Sequence, residues 1–266
     1  MRESTSNLFD GTARYYRKYR FAYPDKLFDD LVSRFLLTSS DTLLDLGCGP
    51  GNLAIPFAQR GVQVWAVDPS QEMLEAGKRR QQEYGVQGIR WDQGDDSSIA
   101  KIVPSPIRLC VMGSSFHWTS RNILLQTLDT LIQKDGAVVL VDPQESPWAP
   151  TSSDWSNVAN EVVREFLGPH RKAGPRTYSH PDQRHEDVLG DSPFSQVKHA
   201  HFTSSIQLDI DDIIGLFLST SFASPRQLGA SIEPFTARLR QRLEEVMPQR
   251  TTTWQQTWEM LIGRRA

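Results

Sequence analysis

Residues 42–51 read Thr-Leu-Leu-Asp-Leu-Gly-Cys-Gly-Pro-Gly, and this segment is the strongest indication of the fold in the sequence. Its first half, Thr42 to Leu46, is a short apolar run with one acid, which is typical of a buried strand. A loop with three glycines follows, and residues 52–59 then show a helical pattern. A strand, a glycine turn and a helix in this order let a ligand approach bare backbone.

The spacing of Gly47, Gly49 and Gly51 argues against a dinucleotide or a triphosphate as the ligand. It is G-x-G-x-G rather than the G-x-G-x-x-G of dinucleotide sites, and no lysine follows to hold a triphosphate. We therefore expect an amino-acid or nucleoside moiety here. Asp45, inside the strand, can accept a hydrogen bond from an ammonium group, directly or through water.

Further carboxylates follow the next two strands. Residues 62–67 read as a buried strand that ends in Asp68, and residues 89–93 read as a third strand that leads into Asp95 and Asp96. An acid at the tip of the second strand of a βαβ unit is placed to bind both hydroxyls of a ribose. The alternative is that Asp68 only caps the following helix. Asp95 can accept the exocyclic amine of an adenine, whereas Asp96 is expected to be solvated or to offer its backbone N–H.

These residues together resemble the class I methyltransferases that depend on S-adenosylmethionine (SAM), most closely the small-molecule enzymes of the trans-aconitate and ubiquinone-biosynthesis type. Residues 45–51, 68–73, 94–95 and 113–118 match the four motifs of the family in order. The resemblance implies SAM as cofactor and S-adenosylhomocysteine as product. It implies these cofactor contacts: Tyr16, Arg20, Asp45, Gly47, Cys48, Gly49, Asp68, Pro69, Met73, Asp95, Asp96, Gly113 and Ser114.

The fold class follows from the alternation of strands and helices between residues 42 and 142, which predicts a parallel sheet. The predicted fold is α/β, with a Rossmann-like, seven-stranded, mostly parallel sheet and helices on both faces. The resemblance implies that the last strand is antiparallel beside strand five. The later predicted elements are strand four at 107–112, a helix at 121–133, strand five at 137–141, strand six at 196–206, helices at 209–218 and 235–246, and a last strand at 253–262.

We interpret the chain as a single methyltransferase domain. Residues 1–40 form a helical cover with an amphipathic helix over 25–37, residues 41–142 the SAM-binding core, and residues 196–266 the rest of the sheet. Residues 143–195 hold seven prolines and three of the six histidines, and they are too long for an ordinary connection. They are either a surface excursion with a helix at 154–167 or, as the family implies, a lid over the substrate.

Composition narrows the functional class. The net charge of -3 and the absence of a basic stripe argue against nucleic acid as a partner. Two cysteines do not make a disulfide framework or a zinc site. No apolar run approaches membrane-spanning length, and the N-terminus lacks the apolar core of a signal peptide. We expect a cytoplasmic protein, monomeric or homodimeric, that binds neither nucleic acid nor membrane and holds no metal.

The acceptor side of the site is predicted from two aromatic segments. His117 and Trp118 follow strand four at the carboxyl edge, where doubly wound sheets bind ligands. His117 is the candidate general base because its ordinary pKa suits neutral pH; alternatively it only hydrogen-bonds SAM or the loop. Tyr19 and Tyr23 are the other candidate substrate contacts. His199 and His201 share one face of strand six, and we expect them in the pocket or on the surface rather than at a metal.

The N-terminal segment is the last candidate region. Tyr19-Arg20-Phe21-Ala22-Tyr23-Pro24 departs at Phe21 from the Tyr-Arg-Pro-x-Tyr-Pro segment that folds over the cofactor in this family. Arg20 suits the SAM carboxylate because its guanidinium is bidentate; otherwise it belongs to an exposed basic patch. The sequence thus predicts methyl transfer to an O, N or C atom of a small organic molecule. The alternatives are a SAM-binding protein with a non-methyl activity such as cyclisation, or a SAM-binding regulatory module.

Overall fold

A computed structural model of the chain describes residues 11–103, 105–149, 153–170 and 182–266, together with two short strands near residue 175. Its contacts divide the chain into two compact units. As far as they are described, the helical unit comprises Met1–Phe21, Gln144–His180 and Ser204–Gln256, and the sheet unit comprises Ala22–Pro143, Pro181–Thr203 and Thr257–Ala266. The predicted insertion at 143–195 is thus divided between both units, and its role as a lid stays a prediction.

The main sheet has seven strands in the order β3-β2-β1-β4-β5-β9-β8. Strands β1 to β5 are parallel, and β9 runs antiparallel to β5. This confirms the predicted Rossmann-like fold and the antiparallel last strand. The strands are β1 (Thr42–Leu46), β2 (Gln63–Asp68), β3 (Ile89–Gln93), β4 (Ile107–Gly113), β5 (Ile132–Pro143), β8 (Gln196–Asp209) and β9 (Thr251–Arg264), while β6 (Lys172–Ala173) and β7 (Arg176–Thr177) form a separate pair.

Helices of the sheet unit pack apolar side chains against the strands. One core cluster joins β1, β4 and β5 to the buried face of the helix after β4, with Leu124, Leu125 and Leu128 fully buried. The helices of this unit are α2 (Asp25–Phe35), α3 (Ala54–Gln59), α4 (Gln71–Glu83), α5 (Ile99–Ile102), α6 (Arg121–Leu131) and α8 (His185–Gly190), with a 3₁₀ turn at Phe116–Trp118.

Several predicted boundaries in the sheet unit are wrong. The helix predicted over 25–37 ends at Phe35 because Leu36 has a left-handed backbone with φ of 51°. The helix predicted over 121–133 ends at Leu131, and β5 begins at Ile132, five residues early. A shift of register between β4 and β5 takes up the Lys134-Asp-Gly136 segment, which reads as a helix stop in the sequence.

The helical unit contains α1 (Ala13–Tyr19), α7 (Asp154–Leu167), α9 (Ile210–Leu218), α10 (Pro225–Leu228) and α11 (Ile232–Val246), with a 3₁₀ turn at Gly229–Ser231. The predicted helix over 154–167 is confirmed with both its ends. Asp209 is the N-cap of α9 rather than its first residue, because its side chain accepts a hydrogen bond from Asp212 N. Both α11 and the strands β8 and β9 extend beyond the predicted ranges.

Candidate cofactor and active site

The glycine loop after β1 has a backbone that other residues adopt only with strain. The φ angles of Gly47, Gly49 and Gly51 are 73°, 52° and 81°. A Cβ atom on Gly47 would lie 2.5 Å from Ser115 Cβ, and one on Gly51 would lie 2.7 Å from the Trp91 ring. The loop therefore needs glycine both for its turn and for its close packing.

Hydrogen bonds hold the loop in place. Gly47 N and Cys48 N both donate to Val67 O, at 2.8 and 3.1 Å. Arg80 Nη1 donates to Pro50 O and to Asn52 Oδ1, at 3.0 and 2.6 Å. The sequence gives no hint of this brace, because Arg80 reads as part of an exposed basic pair. Hydrogen bonds within the protein therefore hold the loop in this conformation without help from a ligand.

Asp68 links the end of β2 to this loop. Its Oδ2 accepts from Gly49 N and its Oδ1 accepts from Ser70 N, both at 2.8 Å. Burial raises the pKa of Asp68 to about 6, against the effect of these two amides. Ser70, not Asp68, caps α4, because its side chain accepts from Met73 N. The capping alternative for Asp68 is therefore wrong, and each carboxylate oxygen keeps a second lone pair for a hydroxyl donor.

Asp45 lies beneath the loop and is only 1% exposed. Its Oδ2 accepts from Ala54 N at 2.9 Å, at the start of α3. Burial raises the pKa of Asp45 to about 8, and the negative charge of Asp68 adds to this rise. An ammonium group nearby would favour the ionised carboxylate. Burial also raises the pKa of the Cys48 thiol, which stays protonated.

The residues predicted at the adenine follow β2 and β3. Met73 is 3% exposed in the first turn of α4, and Pro69 O accepts from Gln93 Nε2 at 3.0 Å. Asp95 Oδ1 accepts from both the hydroxyl and the amide of Ser97, and the hydroxyl is the larger cause of its lowered pKa. Asp95 is therefore ionised at neutral pH.

Asp96 differs from the sequence expectation. Its Oδ2 accepts from Ser120 N at 2.7 Å, which ties the turn after β3 to the start of α6. Its carboxylate is thus engaged in the fold rather than solvated. A backbone contact of Asp96 with the cofactor stays a prediction.

The end of β4 brings together most of the predicted acceptor residues. The Tyr23 hydroxyl packs directly on Gly113, and the Tyr23 ring lies 4.4 Å from the Trp258 ring. A side chain at position 113 would collide with this hydroxyl. His117 and Trp118 form the 3₁₀ turn that follows, with their rings 4.8 Å apart.

Ser114 and Ser115 shape this turn. Ser114 has a positive φ of 55°, and its amide donates to Val141 O at the end of β5. Ser115 Oγ donates to Leu46 O at 2.6 Å, next to Gly47. The turn after β4 is thus tied to both neighbouring strands, at the edge of the sheet that carries Asp68.

Two residues that the sequence does not single out complete this edge. Asp142 is the penultimate residue of β5 and follows Val141, which pairs with Gly113. His185 begins α8, and its ring is stacked 6.3 Å from that of His117 at an angle of 10°. His185 Nε2 lies 3.9 Å from Asp142 Oδ2. We call His117, Asp142 and His185 the polar triad. For Asp142, the sequence signal is an acid directly after the predicted strand five; His185 has no such signal.

The polar triad is also the one group of three potential metal ligands within the described ranges, with ligand atoms within 4.8 Å of one another. Arg121 Nη1 lies 3.4 Å from His185 Nδ1. Because a guanidinium only donates, Nδ1 accepts and Nε2 carries the hydrogen in the neutral ring. That nitrogen faces Asp142 and offers no lone pair to a metal, so the triad suits a hydrogen-bonded group better.

Comparison with known proteins agrees with this geometry. Residues 43–136 match the model of a family described as a methyltransferase domain. The chain is 28% identical over 152 residues to trans-aconitate 2-methyltransferase from Azoarcus sp., covering 55% of this chain and 54% of that enzyme. Residues 43–136 therefore belong to this family of methyltransferase domains.

Two solved structures resemble the fold of the whole chain. The YcgJ protein from Bacillus subtilis has a TM-score of 0.53 at 15% identity, covering 91% of this chain and 100% of that one. A SAM-dependent methyltransferase from Thiobacillus denitrificans, in complex with S-adenosylhomocysteine, has a TM-score of 0.50 at 16% identity and covers 97% of both chains. The chain spans only 38%, 42% and 47% of the length of three further curated relatives.

The other predicted site residues, Tyr16, Tyr19 and Arg20, lie in the helical unit. Arg20 donates to Ser219 O at 3.3 Å, and its guanidinium lies over the rings of Tyr16 and Trp148. The Tyr19 ring packs on Gly215 of α9, where no side chain would fit. These residues are therefore partners of one another in their own unit, and their contact with SAM stays a prediction.

Two histidines predicted in the pocket or on the surface are on the surface. His199 hydrogen-bonds Glu186 at 3.0 Å and Glu259 at 3.2 Å, which raises its pKa, the bond to Glu186 being the larger cause. His201 lies 3.6 Å from Glu259 and is 45% exposed. Separately, none of the helices within the described ranges combines the length and apolarity needed to cross a membrane.

Proposed function

We propose that this chain transfers a methyl group from SAM to an O, N or C atom of a small organic molecule. The observation that carries the proposal is the hydrogen bond from Gly49 N to Asp68 Oδ2, at 2.8 Å. It joins a bare glycine loop to a buried carboxylate at the carboxyl edge of two parallel strands, where such sheets bind ligands. In this proposal Asp45 binds the amino group of SAM, Asp68 the ribose, and Met73 and Asp95 the adenine.

SAM supplies an activated methyl group on its sulfonium and leaves as S-adenosylhomocysteine. The protein's task is to hold the acceptor in line with that methyl group, and positioning alone can supply much of the rate. We place the acceptor beside Tyr23, His117 and Trp118 at the end of β4, with Tyr19 as a further contact. His117 removes the acceptor's proton as methyl transfer proceeds.

The proposal also covers the class of acceptor, the lid, the cellular location and the oligomeric state. One relative is named a trans-aconitate 2-methyltransferase, and the net charge of -3 gives no footprint for nucleic acid. We propose a small-molecule acceptor, a lid formed from residues 143–195, and a cytoplasmic monomer or homodimer that acts without a metal. Arg20 and Tyr16 complete the cofactor contacts.

The test is incubation of the purified protein with SAM and a panel of hydroxyl, carboxyl and amine acceptors, with S-adenosylhomocysteine release and methylated product measured by mass spectrometry. Methylated product with stoichiometric S-adenosylhomocysteine supports the proposal. Consumption of SAM without a methylated product indicates another chemistry, such as cyclisation. Binding of SAM with no consumption in any reaction indicates a regulatory module.

A separate prediction concerns the N-terminal segment. We expect S-adenosylhomocysteine to slow tryptic cleavage at Arg14, Arg17 and Lys18, because an aromatic and basic segment that contacts the cofactor is protected when it binds. Cleavage after Arg250, in a turn where its side chain is 63% exposed, serves as the internal control and should not change. Equal rates at the N-terminal sites with and without ligand would contradict this role of residues 1–24.

A further inference from the structure

The polar triad brings three hydrogen-bonding side chains together. One ligand atom from each of His117, Asp142 and His185 lies within 4.8 Å of the other two. His185 Nε2 and Asp142 Oδ2 are 3.9 Å apart. An oxygen atom about 2.8 Å from both of these atoms would form hydrogen bonds of ordinary length. Because His185 Nε2 carries a hydrogen, the triad suits such an oxygen better than an ion.

Arg121, which is not part of the triad, determines which nitrogen of His185 donates and which accepts a hydrogen bond. Arg121 donates to Gln183 O at 2.8 Å and presents the same Nη1 to His185 Nδ1 at 3.4 Å. His185 Nε2 is therefore the donor that points towards Asp142. The Phe116 ring packs edge-on against His185 at 5.1 Å and limits its rotation. The triad thus offers a donor from His185 and an acceptor from Asp142.

Burial and neighbouring charges set the charge states of Asp142 and His185. Asp142 is 29% exposed at its side chain, yet burial raises its pKa to about 6, with Glu259 of β9 adding to the rise and the Ser114 hydroxyl opposing it. Burial lowers the pKa of His185 to about 4, and Arg121 of α6 lowers it further. Above about pH 6 the triad therefore holds one carboxylate and a neutral His185.

These roles discriminate between classes of acceptor. A hydroxyl can accept from His185, donate its hydrogen to His117 and still use its second lone pair to attack the methyl group. A carboxylate has no hydrogen to donate and is repelled by Asp142. An ammonium group has no lone pair to accept the hydrogen of His185. It would also be repelled by the positive charge of Arg121, which lies next to His185. The neutral hydroxyl matches the donor of His185 and the acceptor of His117, and it places no negative charge beside Asp142.

We propose that the acceptor of this methyltransferase is an alcohol or phenol whose hydroxyl binds within the polar triad, and that the product is a methyl ether. This rests on the proposed function. The acceptor oxygen forms a bond to the methyl carbon, the carbon–sulfur bond breaks with its electron pair on sulfur, and the hydroxyl proton passes to His117. Asp142 stabilises the resulting imidazolium, as a carboxylate does beside a catalytic histidine. Asp142 is thus a positioning residue that acts through His117, whereas His185 binds the acceptor hydroxyl, and both select the acceptor.

The test uses three probes with one skeleton: benzyl alcohol, benzoate and benzylamine. Each is added at pH 7.5 to the protein in complex with S-adenosylhomocysteine, and the imidazole resonances of His117 and His185 are followed by NMR. We expect benzyl alcohol to shift both resonances at a concentration at least ten times lower than the other two probes. Stronger shifts with benzoate or benzylamine, or no shift with any probe, would overturn the proposal.

Asp142→Asn provides the second measurement, with Glu186→Gln as the matched control, because the Glu186 carboxylate bonds to His199 and Arg184 outside the triad. Removing the charge of Asp142 should let benzoate bind at least ten times more tightly, whereas the control should keep the preference for benzyl alcohol. An unchanged preference in Asp142→Asn contradicts the selecting role. Failure of the proposed function is seen separately, because it abolishes methylated product without altering the order in which the probes bind.

Discussion

His117→Ala lowers kcat by about 10² to 10⁴, while the affinity for SAM changes little. The reason is that His117 is the proton acceptor for a group held at the end of β4, where its ring lies between Trp118 and His185. The pH–rate profile should also lose the limb that rises from low pH, because this limb reports the ionisation of the base. Steady-state kinetics between pH 5 and 9 with saturating SAM measure both effects.

The matched control for this variant is His201→Ala, an exposed histidine on β8. It should leave kcat and the pH profile unchanged. A loss in His117→Ala that is confined to the KM for the acceptor would show that His117 only shapes the pocket. Unchanged turnover and KM would remove His117 from the site, and Tyr16 and residues 143–195 would become the places to search.

The sequence predicts the first half of the sheet well because its signals are local. The strands β1 and β3 have their predicted ends, and each motif follows a strand within a few residues. The boundary between α6 and β5 is different. There Lys134-Asp-Gly136 has the composition of a turn, but pairing with β4 and an ion pair between Arg108 and Asp135 draw it into the strand.

The polar triad shows what the sequence leaves out. His117 is predictable because it lies in a motif, whereas Asp142 and His185 lie 25 and 68 positions further along the chain in segments without one. Their significance comes from burial, from the Arg121 contact and from the register that places Asp142 beside Gly113. Such properties depend on tertiary structure, so for these two residues the local pattern offers only the acid that follows the predicted strand five.

Asp68→Ala weakens binding of S-adenosylhomocysteine by about 10² to 10⁴. Each charge-assisted hydrogen bond to a ribose hydroxyl contributes about 1.5–3 kcal/mol, and two are lost. The carboxylate also anchors the glycine loop through Gly49 N, so the variant loosens the backbone that the ligand contacts. Calorimetry at pH 8, with circular dichroism to confirm folding, measures the loss. Asp92→Ala is the matched control, because its carboxylate pairs with Arg90 on β3.

The ionisation of Asp68 allows a second test of its role, through the pH dependence of ligand binding. Since burial raises its pKa to about 6, acidification through this range protonates the carboxylate, and affinity for the ligand should fall as the pH drops below about 6. Asp68→Asn keeps the shape and one acceptor oxygen but cannot ionise, so this part of the pH dependence should vanish. If Asp68→Ala binds the ligand as tightly as the parent protein, or if Asp68→Asn keeps the same fall in affinity, Asp68 does not bind the ribose and another group titrates at the site.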